Sequence, residues 1–366
     1  MRPLLLTIPS FVLLSACAAP PIDPARIAAI DQIVEKQLAR TKAPGFAIGI
    51  LEGRKSSVLG YGRISREVEG KPRGDTVYEI GSITKVFTAF LLADLAQEGV
   101  LKLNDPIRVH LPPEVAAPRS ADKEIQLNHL ATHRSGLPRL PANLPAISDD
   151  PYANYGEDRL YDFLKAHRLK WPVDTRYEYS NLGFGLLGHL LERASGKRYE
   201  ELIVRRIADP LGMKDTRIVL TESMNARLAP PRDAKGAPAR NWHFQALAGA
   251  GALRSTVNDL LKFAAANLGQ GNPRLTETLA SCHASREADI VPDRLRIGLA
   301  WHLSPVRAGG RWVIWHNGGT GGYSAFIGFV KETGTAVVVL SNGPPPALGE
   351  NPVDQVGFEI LELLNP

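Results

Sequence analysis

Apolar residues recur at helical spacing near the start of the chain, at Ile27, Ile30, Ile33, Val34 and Leu38, and predict a helix over 25–41. The period then changes. Two runs, 45–51 and 57–62, read as strands, with Glu52-Gly53-Arg54 as the hairpin turn between them. Helical spacing returns after Gly81, through Ile83, Val86, Phe87, Phe90, Leu91 and Leu95, and predicts a helix that ends near Gly99. From 101 to 245 strand patterns are scarce. Helices are expected at 124–133, 157–168, 182–196 and 198–208, and Pro112-Pro113, Pro138, Pro141, Pro145 and Pro230-Pro231 mark long loops. Strand character comes back at 311–315, 324–330 and 335–340. The last two are joined by a Lys331-Glu332-Thr333-Gly334 turn, and a helix is expected at 353–364. This order predicts an α/β (α+β) fold: an antiparallel β-sheet flanked by helices, built from both chain ends (25–100 and 246–366), with a mainly helical second lobe (101–245).

Composition adds little to that picture. Hydrophobic content of 44% and charged content of 22% are ordinary for a globular chain. The net charge is +5, but no run of five Lys or Arg occurs, so a nucleic-acid partner is not expected. The N-terminus changes more. Arg2 precedes an apolar stretch from Leu4 to Leu14 that is too short to span a membrane. It ends in Leu14-Ser15-Ala16-Cys17, which resembles the lipobox of bacterial lipoproteins. The resemblance implies a lipoprotein signal peptide over 1–16, a lipid-bearing Cys17, a linker over 17–24 and one domain over 25–366. Secretory cleavage near Ala16, Ala18 or Ala19 is the alternative. Either route places the protein in the cell envelope, in the periplasm, with an outer-membrane lipid anchor in the first case. The other cysteine, Cys282, is expected to be a buried, inert thiol.

The chemistry centres on Ser82-Ile83-Thr84-Lys85. Residues three apart share a helix face, so Lys85 can reach the Ser82 hydroxyl. A serine becomes a nucleophile when a nearby base takes its proton, and a lysine serves if its pKa is lowered. The same spacing occurs at Ser120-Ala121-Asp122-Lys123, in a polar stretch with no apolar helix beyond it, and reads there as a solvated helix end. Tyr179-Ser180-Asn181 precedes a Gly-rich helical run. His316-Asn317-Gly318-Gly319 falls between two strands, and its glycines would let a substrate backbone approach a sheet edge. Tyr152-Ala153-Asn154 repeats the Tyr-x-Asn spacing but reads as a surface turn. His129 and His133 are four apart without a His-Glu-x-x-His pattern and read as structural rather than zinc-binding.

With Ser-x-x-Lys, Tyr-x-Asn and His-x-Gly in this order, the chain resembles the penicillin-recognising serine hydrolases, most closely class C β-lactamases and their carboxypeptidase and esterase relatives. Leu130-Ala131-Thr132-His133-Arg134-Ser135-Gly136-Leu137-Pro138 and Gly249-Ala250-Gly251-Ala252-Leu253-Arg254-Ser255-Thr256 look like further signatures of that family. The resemblance covers 25–365. It implies a β-lactamase/transpeptidase-like fold and an acyl-enzyme on Ser82, with Lys85 and Tyr179 sharing the proton transfer. It implies an oxyanion hole from the N–H groups of Ser82 and Gly319, and no metal or organic cofactor. Asn181, His316, Gly318 and Gly319 would bind substrate. Class C β-lactamases usually carry lysine where this chain has His316; its protonated form would hold a substrate carboxylate, and the alternative is a neutral His316 that hydrogen-bonds Tyr179 or the substrate or tunes the proton relay. The substrates implied are β-lactams or D-alanyl-D-alanine peptides. A carboxylesterase and a non-catalytic peptidoglycan-binding lipoprotein are the other readings.

Overall fold

The computed structural model describes residues 23–65, 70–121, 123–145, 149–286, 290–291, 294–307 and 310–366. The leader expected at 1–16 and the lipidation site Cys17 lie outside these described residues. Nine strands are found among them: β1 (Gly45–Glu52), β2 (Lys55–Gly62), β3 (Tyr78–Glu79), β4 (Arg254–Ser255), β5 (Arg296–Ile297), β6 (His302–Pro305), β7 (Trp312–Gly319), β8 (Ser324–Val330) and β9 (Thr335–Ser341). Seven form one antiparallel sheet in the order β2-β1-β9-β8-β7-β6-β5, and β3 pairs with β4 apart from it. The first strands of the chain thus pair with the last, as the pattern predicted.

Strands β1, β8 and β9 are apolar along almost their whole length because both faces of the sheet are covered. On one face Phe46, Ile48, Val337 and Val339 meet Ile30 and Val34 of the helix Pro24–Leu38 and Val353, Val356 and Ile360 of the helix Pro352–Leu364. On the other, Ala47, Leu51, Val338 and Leu340 join a larger core with Val257, Leu260 and Leu261 of the helix Val257–Asn267. That core runs on through the helices Thr84–Gln97 and Asn181–Ser195. Each large apolar side chain so buried contributes about 1.5–3 kcal/mol. Strand β2, at the edge, is largely exposed on its outer side. Between 101 and 245 the described residues hold helices and turns but no named strand. Among the described residues no helix is long and apolar enough to cross a membrane.

Three departures from the predicted elements have physical causes. The helix expected at 124–133 shrinks to Leu127–Ala131. Residues Glu124 and Gln126 instead make bridges to Arg119 and Pro106, and His133 turns out of the helix at φ 58°. The helices Val257–Asn267 and Pro273–Cys282 follow a signature and a polar stretch whose periodicity suggested neither. Strand β7 runs on through His316, Asn317, Gly318 and Gly319, which were placed between strands; pairing of Gly318 with Ala325 and Gly319 with Ser324 carries the ladder through residues of low strand propensity.

Candidate active site

Ser82 lies in a single 3-10 turn, Gly81–Ile83, that opens into the helix Thr84–Gln97. The turn starts with Gly81 at φ 48°, a left-handed value suited to glycine. A Cβ on Gly81 would lie 2.6 Å from the Gly319 nitrogen, and one on Gly318 would lie 2.0 Å from the Ile80 carbonyl oxygen. Glycine at both positions lets the end of β7 lie directly against the first turn of the Ser82 helix. The two glycines therefore serve the approach of the protein's own backbone. This close fit brings the backbone of Gly319 beside that of Ser82, whose N–H belongs to the turn's unpaired donors.

Lys85 is completely buried, next to a partly exposed Ser82. Its Nζ is 2.9 Å from Ser82 Oγ and donates to Asn181 Oδ1 at 2.9 Å and to the Ala250 carbonyl at 2.7 Å. Burial, and then the charge of Arg139, hold the lysine well below its ordinary pKa. A neutral amine has two N–H donors. Asn181 Oδ1 and the Ala250 carbonyl can only accept; when the amine is neutral they take both N–H groups, and the lone pair faces the serine hydroxyl. Tyr179 lies on the other side of this group. Burial pushes its phenol up to about 12, against hydrogen bonding to Ser82 and the charge of Arg139. It therefore keeps its proton at rest, beside Ser82. Lys85 is thus placed to accept the Ser82 proton, while Tyr179 holds its own.

The signature segments explain themselves as supports. Ala250 belongs to the turn Ala248–Ala250, which lies against the helix Asn181–Ser195 where Gly188 meets Gly249; a Cβ on Gly188 would lie 2.8 Å from the Gly249 Cα. Thr88 Oγ1 donates to the Gly249 carbonyl at 2.8 Å and fixes the same turn. The segment 133–139 holds Tyr179-Ser180-Asn181 from outside. His133 Nδ1 accepts from the Ser180 N–H at 3.0 Å, and its ring stacks on Tyr179 with centroids 4.3 Å apart. Ser180 Oγ donates to the Pro138 carbonyl at 2.6 Å and accepts from the Gly183 N–H at 2.8 Å. The Arg139 carbonyl accepts from the Asn181 and Leu182 N–H groups.

Several expectations need correction. His316 is fully buried, and burial, His302 and Lys85 hold it well below the ordinary histidine pKa. Its Nδ1 lies 2.6 Å from the Asn317 carbonyl, so that nitrogen carries the proton and Nε2 is a buried lone pair without a partner. A protonated His316 that binds carboxylate by charge does not fit this burial. Tyr152 is not a surface turn residue: it is 4% exposed, stacks on Phe244 at 4.6 Å, and its hydroxyl accepts from Asn181 Nδ2 at 3.2 Å. Asn181 in turn bridges Lys85 and Tyr152, so its amide first positions the base. Spacing gave no sign of Arg139, whose guanidinium carbon lies 5.1 Å from the Tyr179 ring centre. Its only sequence mark was a place next to the 130–138 signature.

Among the described residues no group of three His, Cys, Asp or Glu side chains is placed to hold a metal. His129 accepts from the Gln126 N–H at 3.1 Å as a helix cap. Lys331–Gly334 forms the β8–β9 turn, with Gly334 at φ 66°. Cys282 is a free, buried thiol that burial pushes up to about 12.

Comparisons with known proteins agree with this geometry. Residues 30–360 match the model of the Beta-lactamase family. The chain is 28% identical over 363 residues to the D-alanyl-D-alanine-carboxypeptidase/endopeptidase AmpH of Escherichia coli strain K12, covering 96% of this chain and 93% of that one. A beta-lactamase/D-alanine carboxypeptidase from Yersinia pestis, solved with citrate, superposes with a TM-score of 0.79 at 26% identity over 93% of this chain and 99% of that one. A class C beta lactamase from Rhodobacter sphaeroides gives 0.78 at 26% identity over the same shares.

Proposed function

The chain belongs to the beta-lactamase family and is a serine hydrolase of that type, and from this premise we propose that it works through an acyl-enzyme on Ser82, with β-lactams or D-alanyl-D-alanine peptides as substrates. The observation that carries this reading is the buried Lys85, whose pKa burial lowers and whose Nζ lies 2.9 Å from Ser82 Oγ while Asn181 and Ala250 accept from it; in its neutral form the lone pair faces Ser82. Lys85 takes the Ser82 proton as Oγ attacks the carbonyl carbon. The N–H groups of Ser82 and Gly319 hold the resulting oxyanion; one such donor is typically worth about 10²–10³ in rate. Tyr179 then protonates the leaving nitrogen as the carbon–nitrogen bond breaks, protonated Lys85 returns a proton to Tyr179, and water hydrolyses the ester, its hydroxide going to the acyl carbon and its proton to Ser82 Oγ. The relatives' names support the substrate class: they are β-lactamases and D-alanyl-D-alanine carboxypeptidases.

A neutral His316 favours a second reading, a carboxylesterase, because no charge at that position demands a carboxylate on the leaving group. Incubation with a fluorescent penicillin, followed by mapping of the adduct, separates the two. An adduct on Ser82 supports the first reading. Turnover of p-nitrophenyl esters with no penicillin adduct on any residue would replace it with the second. The address is also a proposal: export to the periplasm and lipid anchoring at Cys17. Cys17→Ala should move the protein from the outer-membrane fraction to the soluble periplasm, and a wild type already soluble there would discard the anchor.

A further inference from the structure

We propose that Arg139 sets substrate preference by pairing with a carboxylate on the acyl side of the substrate, an inference that rests on the acyl-transfer reading above. Five basic side chains surround the Tyr179 ring: Lys85, His133, His302, His316 and Arg139. The first four are buried, and burial holds each below its ordinary pKa. Arg139 is exposed, and a guanidinium keeps its charge at any working pH. It is therefore the permanent positive charge of this group.

Its position is fixed from behind. The Arg139 carbonyl takes the N–H groups of Asn181 and Leu182, which ties its backbone to the start of the Asn181 helix. That helix belongs to the helical lobe. We place the acyl substituent on that side, along Asn181, and the leaving group toward β7. The guanidinium rests over the Tyr179 ring, and no hydrogen bond or ion pair from it is found among the described residues. A planar fork of donors held over an aromatic ring at the cleft, without an acidic partner, matches a carboxylate in bidentate geometry. Neutral His316 supplies no such charge on the opposite side. The substrate class is then an acyl donor bearing an extra carboxylate: a penicillin with a carboxylated side chain, or a stem peptide with a free carboxylate on the residue before the D-alanine pair.

Three penicillins isolate the effect. Carbenicillin is benzylpenicillin with one added side-chain carboxylate, and ampicillin carries an ammonium group at the same carbon. Second-order acylation rates are measured for wild type, Arg139→Gln and Arg139→Lys. Arg139→Gln should lower carbenicillin acylation about tenfold relative to benzylpenicillin, the scale of a partly screened charge-assisted hydrogen bond. It should raise ampicillin relative to benzylpenicillin, and Arg139→Lys should keep most of the wild-type preference. Arg139 also lowers the Lys85 pKa, but that influence acts on all three substrates alike and cancels in the ratios. Equal changes for all three would overturn the proposal and leave Arg139 as a tuner of Lys85. No acylation of wild type by any of them would instead overturn the acyl-transfer reading itself.

Discussion

Ser82-x-x-Lys85 and Ser120-x-x-Lys123 share a spacing and nothing else. In the first, a glycine-started turn and a helix put the serine and lysine on one face, and the core closes over the lysine. In the second, Ser120 Oγ donates to the Lys123 carbonyl at 3.2 Å, and the two residues flank a bridge between Arg119 and Glu124. The Lys123 ammonium points away to Asp174 at 3.1 Å, with its side chain 54% exposed. Lys123 faces solvent and a carboxylate, not the serine hydroxyl of its own motif. Spacing thus brings two groups within reach only on a helix, and burial with the right acceptors turns a lysine into a base.

The largest break in this comparison is Ser82→Ala against Ser120→Ala. The first removes the nucleophile, and acylation by a labelled penicillin should fall by on the order of 10³ or more. The second should leave the acylation rate within about twofold, since Ser120 only braces Val173 and Lys123. Burst amplitudes report both. A retained burst in Ser82→Ala would remove the nucleophile assignment.

The Tyr-x-Asn copies sharpen the contrast differently. Tyr179→Phe removes the proton carrier and should slow acylation by about 10²–10⁴. Tyr152→Phe removes only the acceptor for Asn181 Nδ2, so a loss of about tenfold is expected through misplacement of Asn181 and Lys85. Equal losses in the two variants would show that Tyr152 has a direct chemical part.

These pairs also show what the sequence could and could not disclose. The strands at 45–51, 324–330 and 335–340 were legible because both faces of the sheet are buried and the apolar runs are continuous. The three motifs were legible because their order and surroundings narrow the alternatives. Tyr152 was not, since its burial comes from Trp242 and Phe244, some 90 residues on, stacking over it. His316 looked like a cation because residue type shows charge capacity, whereas its neutrality comes first from burial and then from His302 and Lys85 packed beside it. Strands β3 and β4 have only two residues each, too short to leave a period in the sequence, and a buried ion pair of Glu79 and Arg254 at 3.1 Å spans them.

The neutral lysine and histidines should leave a mark on pH dependence. Lys85 acts as base only above its lowered pKa, so acylation should fall as pH drops through that value, with an acid limb that Lys85→Met abolishes along with most activity. The buried histidines act on stability with the same sign. His133, His283 and His316 lie well below the ordinary value, and His302 is lowered to about 4. The unfolded chain takes up protons below about pH 6.5 that the folded chain refuses. Stability should therefore be lost as pH falls from about 6.5 toward 4. Melting temperature against pH tests this, and His302→Gln should flatten the curve.

The smallest expected effect is at Lys123. Burial raises the Asp174 carboxyl, but hydrogen bonds from Arg134 and Lys123 more than reverse this and leave it below the ordinary value. Lys123→Ala removes the more exposed of the two partners and leaves Arg134 Nε at 2.9 Å. An ion pair this open to solvent is worth about 0.2–1 kcal/mol. A lowered carboxylate pKa contributes stability above the unfolded value, near 3.9, and that contribution disappears as pH falls through the folded value. Lys123→Ala should then lower the melting temperature by about 2 °C or less at neutral pH, and by nothing measurable once Asp174 is protonated. Added salt should shrink the neutral-pH difference as well. Acylation should stay at the wild-type rate throughout. A loss of activity in Lys123→Ala, with the fold intact, would erase the distinction between the two Ser-x-x-Lys copies at its root, because it would make an exposed ammonium paired with Asp174 do what burial reserves for Lys85.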